Sequence, residues 1–168
     1  FILLIIFYFN KYLIHYVVIG ILINSLVFSI IYLFENYNFS LIFFIIALIS
    51  LNDILAYLVG RKFGKTKVFP NISPNKSLEG TLAGFFSTII ISVMYAYYSE
   101  LSIFYLGLFG LLMGIFGLAG DLYVSAFKRR LNIKDISNII PGHGGLLDRF
   151  DSYLFCLPLS VIFFEIFY

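Results

Sequence analysis

Long apolar stretches alternate with short polar ones along almost the whole chain. The apolar stretches cover residues 12–34, 39–60, 78–98, 101–127 and 151–168. Most of them are close to the roughly 20 residues that a helix needs to cross the hydrocarbon core of a bilayer. Only helices satisfy their own backbone hydrogen bonds inside lipid without closing into a barrel. The pattern therefore predicts an all-α, polytopic bundle of about five membrane-spanning helices.

A further apolar stretch, residues 1–9, precedes these five. It is too short to be a span and is interrupted by Asn10 and Lys11. It lacks the basic region and the small-residue cleavage site of a signal peptide. We therefore expect it to be the tail of a truncated N-terminal helix. Residues 1–168 are then expected to form a single membrane-embedded domain that is truncated at its N-terminus.

Composition supports the membrane interpretation. The chain is 61% hydrophobic and 12% charged, whereas soluble domains are about 45–50% apolar and about 25% charged. A soluble domain of this size cannot bury so much apolar surface. Cys156 is the one cysteine, which excludes an internal disulfide or a multi-cysteine metal site and favours a core or lipid-facing position.

The charged residues are distributed unevenly between the two sides of the predicted bundle. Cations occupy Lys11 and the polar loops 61–77 and 128–149, whereas the opposite connections carry Glu35 and Glu100. Basic loops stay in the cytoplasm, so both loops are predicted to share the cytoplasmic face. Fixing the topology is one interpretation of these cations, but topology requires neither a Gly-His-Gly-Gly run nor an aspartate inside an apolar helix.

Asp121 is that aspartate. A carboxylate at the membrane centre costs about 2.5–3.5 kcal/mol on insertion scales, so such acids usually face a cavity, an ion or a partner. Ser125, Lys128 and Arg129 follow at i+4, i+7 and i+8 and share its helical face. This face is predicted to hold a metal ion and phosphate oxygens. The structural alternative is an Asp–Lys contact at the end of the helix.

Asp148, Asp151 and Ser152 form a second group on one predicted helical face, at the start of the last span. Capping of the helix N-terminus is the structural alternative. A cap needs one acid, however, and here two acids flank Arg149. Hard oxygen ligands of this kind suit Mg²⁺, which takes one or two carboxylates plus substrate phosphates.

The glycines just before this group, Gly142, Gly144 and Gly145, allow backbone N–H groups to approach an anion closely. His143 lies among them and is a candidate to donate to a phosphate or to accept a proton. A single histidine in a loop is more often simply solvated. Zinc is disfavoured, because the other histidine, His15, lies in a distant span.

The first polar loop has a second set of candidates. Asp53, Tyr57 and Gly60 share a helical face at i, i+4 and i+7. Beyond them lie residues that are typical of phosphate binding, namely Arg61, Lys62, Lys65, Ser73 and Lys76. The glycines that flank these cations make phosphate binding the predicted role.

Taken together, the motifs resemble the C-terminal part of the phosphatidate cytidylyltransferase (CDP-diacylglycerol synthase) family. The matching residues are Ser125, Lys128, Arg129, Lys134, Asp135, Pro141, Gly142, His143, Gly144, Gly145, Asp148, Arg149, Asp151 and Ser152. The upstream elements that contain Asp53 and Lys76 also match. Three positions depart from the family pattern: Val124 replaces the usual Glu, Leu78 a common Trp and Asn75 a common Lys.

The resemblance implies a multi-pass membrane enzyme that converts CTP and phosphatidate to CDP-diacylglycerol and pyrophosphate. It implies Mg²⁺, together with K⁺, as cofactor, with Asp121 and Asp148 as metal ligands. The implied catalytic set is Asp121, Asp148, Lys128, Arg129, His143, Arg149 and Asp151. The implied substrate-binding set is Asp53, Arg61, Lys62, Lys65, Ser73, Lys76, Ser125, Gly142, Gly144 and Gly145.

The expected partners are CTP and phosphatidate in the bilayer, with no nucleic acid and with a homodimer as the expected assembly. One alternative is a CTP-dependent enzyme that acts on another lipid, such as an archaeol phosphate cytidylyltransferase or a polyprenol-type kinase. Another is a small transporter, because transporters also place aspartates inside the membrane. Clustering of the charges at one face favours an enzyme that works at the membrane surface.

Overall fold

The computed structural model describes residues 2–131, 133 and 150–167, with side chains from residue 17 onward. Its helices are α1 (Ile2–Asn36), α2 (Phe39–Phe63), α3 (Leu78–Ser99), α4 (Ile103–Arg130) and α5 (Tyr153–Phe167). In the described part of the chain, α1 to α4 are long and apolar enough to cross a membrane, and α5 is shorter, at 15 residues. The all-α, polytopic fold predicted from the sequence is confirmed.

The predicted interruption at Asn10 and Lys11 is wrong, because α1 continues through both residues. Asn and Lys cost a helix well under about 1 kcal/mol each, so two of them do not end a long apolar helix. A helix of 35 residues is about 52 Å long. It is therefore longer than the roughly 30 Å hydrocarbon core.

Helices α2 and α4 both extend three residues beyond their predicted ends. The added turns contain Arg61 and Lys62 in α2 and the cations at 128–130 in α4. Cations are favoured in the last turn of a helix by the helix dipole. In contrast, α5 begins at Tyr153, so Asp151 and Ser152 form the turn before this helix rather than its first residues.

A β-hairpin occupies the first polar loop, where the sequence predicted no regular structure. Strand β1 (Lys67–Phe69) pairs antiparallel with β2 (Ser73–Ser77), and Lys67 lies opposite Ser77. Ser77 then caps α3, because its side-chain oxygen accepts a hydrogen bond from the Gly80 N–H at 3.2 Å. The hairpin therefore leads directly into a helix and is fixed at that end.

The helices run up and down between two ends, which we name the hairpin end and the aromatic end. At the aromatic end, the rings of Phe44 and Tyr95 stack at 4.0 Å between centroids. Phe109 lies 5.0 Å from both Phe163 and Phe164, measured between ring centroids. These rings form the centre of the apolar core and fix how α2, α3, α4 and α5 pack.

Candidate active site

A cavity of about 940 Å³ opens at the hairpin end, between α2, α3, α4, the hairpin and the turn before α5. One part of its wall is acidic or polar and contains Asn52, Asp53, Asp121, Asp151 and Ser152. A second part carries the cations Arg61, Lys67 and Lys76. A third part is apolar and contains Leu82, Phe85, Ile115 and Leu118. The cavity thus combines the surfaces that a charged head and a lipid tail require.

Three carboxylates from separate parts of the chain converge in this cavity. Asp53 comes from α2, Asp121 from α4 and Asp151 from the turn before α5, and their charges act on one another. The hydroxyl of Ser152 donates to Asp53 Oδ1 at 3.2 Å. Burial, together with the charges of Asp121 and Asp53, raises the pKa of Asp151 well above its ordinary value. Such a cluster favours a bound cation, because like charges close together repel.

Lys76 offsets part of this negative charge. Its ammonium group forms a salt bridge with Asp121, and both side chains are only partly exposed, at 21% and 29%. The contact joins β2 to α4 across the cavity. Asp121 therefore pairs with a cation from the hairpin, about 45 residues away along the chain.

Asn52 is a buried residue that holds one member of the acidic cluster, Asp53, by a hydrogen bond. It is 8% exposed, and its amide Nδ2 donates to Asp53 Oδ1 at 3.3 Å. Glycines of two other helices contact it: a Cβ at Gly84 would lie 2.6 Å from Asn52 Oδ1, and a Cβ at Gly117 would lie 3.2 Å from Nδ2. Asn52 is thus enclosed by α3 and α4, which fixes the position of Asp53.

The structure brings several of the predicted site residues together. The predicted residues that line the cavity are Asp53, Arg61, Ser73, Lys76, Asp121, Asp151 and Ser152. Tyr57 and Gly60 line it beside Asp53, as their predicted shared face requires. Lys67 and Asn75 also line the cavity and were not among the predicted residues. Both residues belong to the strands of the hairpin. They could have been predicted as cavity residues only if the hairpin itself had been predicted from the sequence.

Other predicted residues lie away from the cavity wall. In the described part of the chain these are Lys62, Lys65, Ser125, Lys128 and Arg129. Lys62 lies over the Phe63 ring, with 5.2 Å between its nitrogen and the ring centroid. Arg129 Nε donates to the Ile72 carbonyl in the hairpin turn at 3.2 Å. Ser125 is buried beside Val124, which is fully enclosed.

Six predicted residues lie outside the described residues, namely Gly142, His143, Gly144, Gly145, Asp148 and Arg149. Of the two predicted metal ligands, Asp121 and Asp148, the structure describes Asp121. Within the described ranges, no group of three or more His, Cys, Asp or Glu residues has the geometry of a metal site. The carboxylate and hydroxyl oxygens present nonetheless fit a hard cation such as Mg²⁺, which takes one or two carboxylates and completes its shell with phosphates and water.

The chain is similar to known proteins over most of its length. The model of the cytidylyltransferase family matches residues 1–167. The chain is 41% identical over 135 residues to the phosphatidate cytidylyltransferase of Bacillus subtilis, with 79% of the chain and 50% of that protein covered. It is 46% identical over 111 residues to the Staphylococcus haemolyticus protein of the same name, with 65% and 43% covered. The chain thus spans about half the length of the curated relatives it matches.

A solved structure has a related fold. It is described as an intramembrane enzyme for archaeal membrane lipids biosynthesis. It superposes with a TM-score of 0.51 at 26% identity, over 73% of this chain and 77% of its own. Because the family model matches nearly the whole sequence and the membrane bundle agrees with it, the chain belongs to the cytidylyltransferase family.

Proposed function

We propose that the protein is a phosphatidate cytidylyltransferase, which makes CDP-diacylglycerol and pyrophosphate from CTP and phosphatidate. The observation that carries the proposal is the cavity, which is lined by three aspartates, by three cations and by apolar side chains of α3 and α4. The names of the relatives that are 41% and 46% identical point to the same reaction. A nucleotide and a lipid phosphate both need charge compensation, whereas acyl chains need an apolar surface.

The chemistry requires no nucleophile from the protein. A phosphate oxygen of phosphatidate attacks the α-phosphorus of CTP and forms the new P–O bond. The bond from the α-phosphorus to the oxygen that bridges the α- and β-phosphates then breaks, and pyrophosphate leaves with its electron pair. Both reactants are anions, so the protein must mainly hold them in line and offset their charge.

The residues of the cavity divide this task. Lys76, Arg61 and Lys67 supply positive charge to phosphate oxygens from the hairpin side. Asp121 would hold a hard cation, with Asp148 as its predicted second ligand and Asp151 close by. When bound, Mg²⁺ together with K⁺ would offset charge on the phosphates. Asp53 is held by Asn52 and Ser152 and completes the acidic wall.

The apolar wall indicates where the lipid lies. Leu82 of α3 and Ile115 of α4 line the cavity and are also 44% and 47% exposed. They give the cavity an exposed apolar wall, which suits acyl chains. We infer that phosphatidate reaches the site laterally between α3 and α4, with its phosphate directed at the aspartates.

We infer further that the hairpin end faces the cytoplasm. Basic residues concentrate there, and basic loops are retained in the cytoplasm. The aromatic end carries acids, and Glu165 of α5 joins them: its Oε1 accepts hydrogen bonds from Tyr32 at 2.6 Å and from Tyr37 at 3.1 Å. This orientation gives the cavity direct access to cytoplasmic CTP. A homodimeric assembly stays a prediction.

A second candidate is the alternative given above, a cytidylyltransferase that acts on an archaeol phosphate, which is an ether lipid phosphate; the solved structure described as an enzyme for archaeal membrane lipids biosynthesis favours keeping it. Both lipids carry a phosphate and apolar tails, so the charged and apolar walls of the cavity suit either. The higher identity of the bacterial relatives favours phosphatidate.

The test is incorporation of labelled CTP into an organic-soluble product by the purified protein, with Mg²⁺ and either phosphatidate or an ether lipid phosphate. The expected result is labelled lipid and an equal amount of pyrophosphate with phosphatidate, with neither product when lipid, CTP or Mg²⁺ is omitted. A clear preference for the ether lipid would establish the second candidate instead. Pyrophosphate release without any lipid, or no lipid product at all, would contradict both.

A further inference from the structure

Glu79, in the first turn of α3, makes a contact that no sequence motif explained. Its carboxylate accepts hydrogen bonds from two consecutive backbone N–H groups, from Lys65 at 3.1 Å and from Thr66 at 3.2 Å. The Thr66 carbonyl in turn accepts from the Leu78 N–H at 2.8 Å. The short connection between α2 and β1 is thus tied to the start of α3 on both its donor and its acceptor side.

Consecutive N–H groups of this kind form a concavity that binds anions. Here the anion is the protein's own carboxylate. The N–H groups of Lys65 and Thr66 are therefore used within the protein, and in this conformation they are not available to a substrate phosphate. Glu79 itself does not line the cavity. Its contribution must therefore pass through the segment that it holds.

That segment joins two cavity cations. Arg61 lies at the end of α2 and Lys67 begins β1, and both line the cavity. Between them, Gly64 runs so close to the end of β2 and to α2 that a Cβ there would lie 2.5 Å from Ser77 Oγ and 2.2 Å from the Gly60 carbonyl oxygen. Contacts this close fix the position of the connection relative to the hairpin. The hydrogen bonds from Lys65 and Thr66 to the Glu79 carboxylate hold it there.

We propose that Glu79 is a positioning residue for the nucleotide: it holds the connection at residues 64–66 so that Arg61 and Lys67 both point at the phosphates of CTP. The inference rests on the proposed function, because it assumes that CTP occupies the cavity. A purely structural role in starting α3 would affect the fold as a whole. A positioning role affects CTP in particular and leaves the lipid site between α3 and α4 intact.

The test compares Glu79→Ala and Glu79→Gln with Glu100→Gln, which neutralises an acid at the other end of the same helix. In Glu79→Ala we expect the KM for CTP to rise about three- to tenfold, because charge-assisted hydrogen bonds are lost. The KM for phosphatidate and the Tm should change little. Glu79→Gln should fall between Glu79→Ala and the wild type, since its amide oxygen still accepts one hydrogen bond. Glu100→Gln should match the wild type.

Limited trypsin digestion without substrates gives a readout that is independent of catalysis. Cleavage after Lys65 should be faster in Glu79→Ala than in Glu100→Gln, because the released connection opens more often. Unchanged cleavage would contradict the claim that Glu79 holds the connection at residues 64–66. Faster cleavage with an unchanged KM for CTP, or with equal losses for both substrates and a lower Tm, would overturn the positioning role. Wild-type protein that does not use CTP would overturn the proposed function and the kinetic role with it, while the digestion still decides whether Glu79 holds the connection.

Discussion

The two ends of the bundle use the same helices for different purposes. At the aromatic end, large rings fill the space between α2, α3, α4 and α5, and a recess of about 180 Å³ remains. At the hairpin end, the same helices carry glycines, Asn52 and aspartates, and a cavity of about 940 Å³ remains. Removing bulk from one end of a bundle whose other end is well packed creates a binding site without loosening the fold.

Charge follows the same division. At the aromatic end, Glu165 joins α5 to α1 through the hydroxyl groups of Tyr32 and Tyr37. At the hairpin end, the salt bridge between Lys76 and Asp121 lies inside the cavity, where an incoming cation or phosphate can compete for either partner. Acids therefore stabilise structure at one end and are placed for chemistry at the other. Each prediction below tests this division.

The largest effect is expected at Asp121. The substitution Asp121→Asn removes the charge that would hold a cation, because an amide is a much poorer ligand for Mg²⁺ than a carboxylate. We expect turnover to fall by about a hundredfold to a thousandfold, as for the loss of other charge-stabilising groups, while the protein stays folded in the membrane. Glu35→Gln, the same change of carboxylate to amide at the aromatic end, should keep full activity. Near-normal turnover of Asp121→Asn at ordinary Mg²⁺ would refute this role.

A smaller loss is expected where helices meet below the cavity. In Gly84→Ala the new Cβ would lie 2.6 Å from Asn52 Oδ1 and 2.9 Å from the Asn52 carbonyl oxygen. Overpacking of this kind costs about 1–3 kcal/mol, and the shift of Asn52 should displace Asp53. Both Tm and turnover should therefore decrease. Gly107→Ala is the matched control, because its nearest neighbour is Val93 Cγ2 at 3.9 Å; an equal loss in both variants would show that the Asn52 contact is unimportant.

The smallest effect is expected at the aromatic end. Tyr32→Phe removes the hydroxyl that donates to Glu165 but leaves the hydrogen bond from Tyr37. We expect Tm to fall by a few degrees at most and kcat and both KM values to stay unchanged. Thermal denaturation and steady-state kinetics measure the two quantities separately. A marked decrease in kcat with a small change in Tm would show that catalysis depends on the aromatic end, and it would contradict the proposed division of roles.

The sequence predicted the helices and the family better than it predicted the contacts. Long apolar stretches predict the helices, because a helix that crosses lipid must be apolar over about 20 residues. Asp121 was recognised because a charge inside an apolar helix is energetically costly. The hairpin was missed because strands of three and five residues that include Pro74 carry almost no pattern. The Asn10–Lys11 break was wrong because polar residues with fair helix propensity do not end a helix.

Contacts between distant residues had no local signal. Ser152 and Asp53 are 99 residues apart in sequence, and Lys76 reaches Asp121 only because the hairpin folds back over α4. Glu79 lies 13 and 14 residues from its two backbone partners, Thr66 and Lys65, so the contact emerges only when the connection before β1 is seen in three dimensions. Spacing along a chain predicts which residues share a face, whereas pairing across elements depends on how the elements pack.

The most direct test of the division uses single cysteines at two asparagines, Asn75→Cys in the cavity wall and Asn36→Cys at the aromatic end, both in a Cys156→Ser background. Sealed vesicles are treated with a membrane-impermeant maleimide from either side, with and without CTP and Mg²⁺. We expect Cys at position 75 to be labelled only from the cytoplasmic side and to be protected by CTP. Cys at position 36 should be labelled only from the other side, with no protection. Labelling of both from one side, or CTP protection that is absent at position 75 or equal at both, would contradict the account.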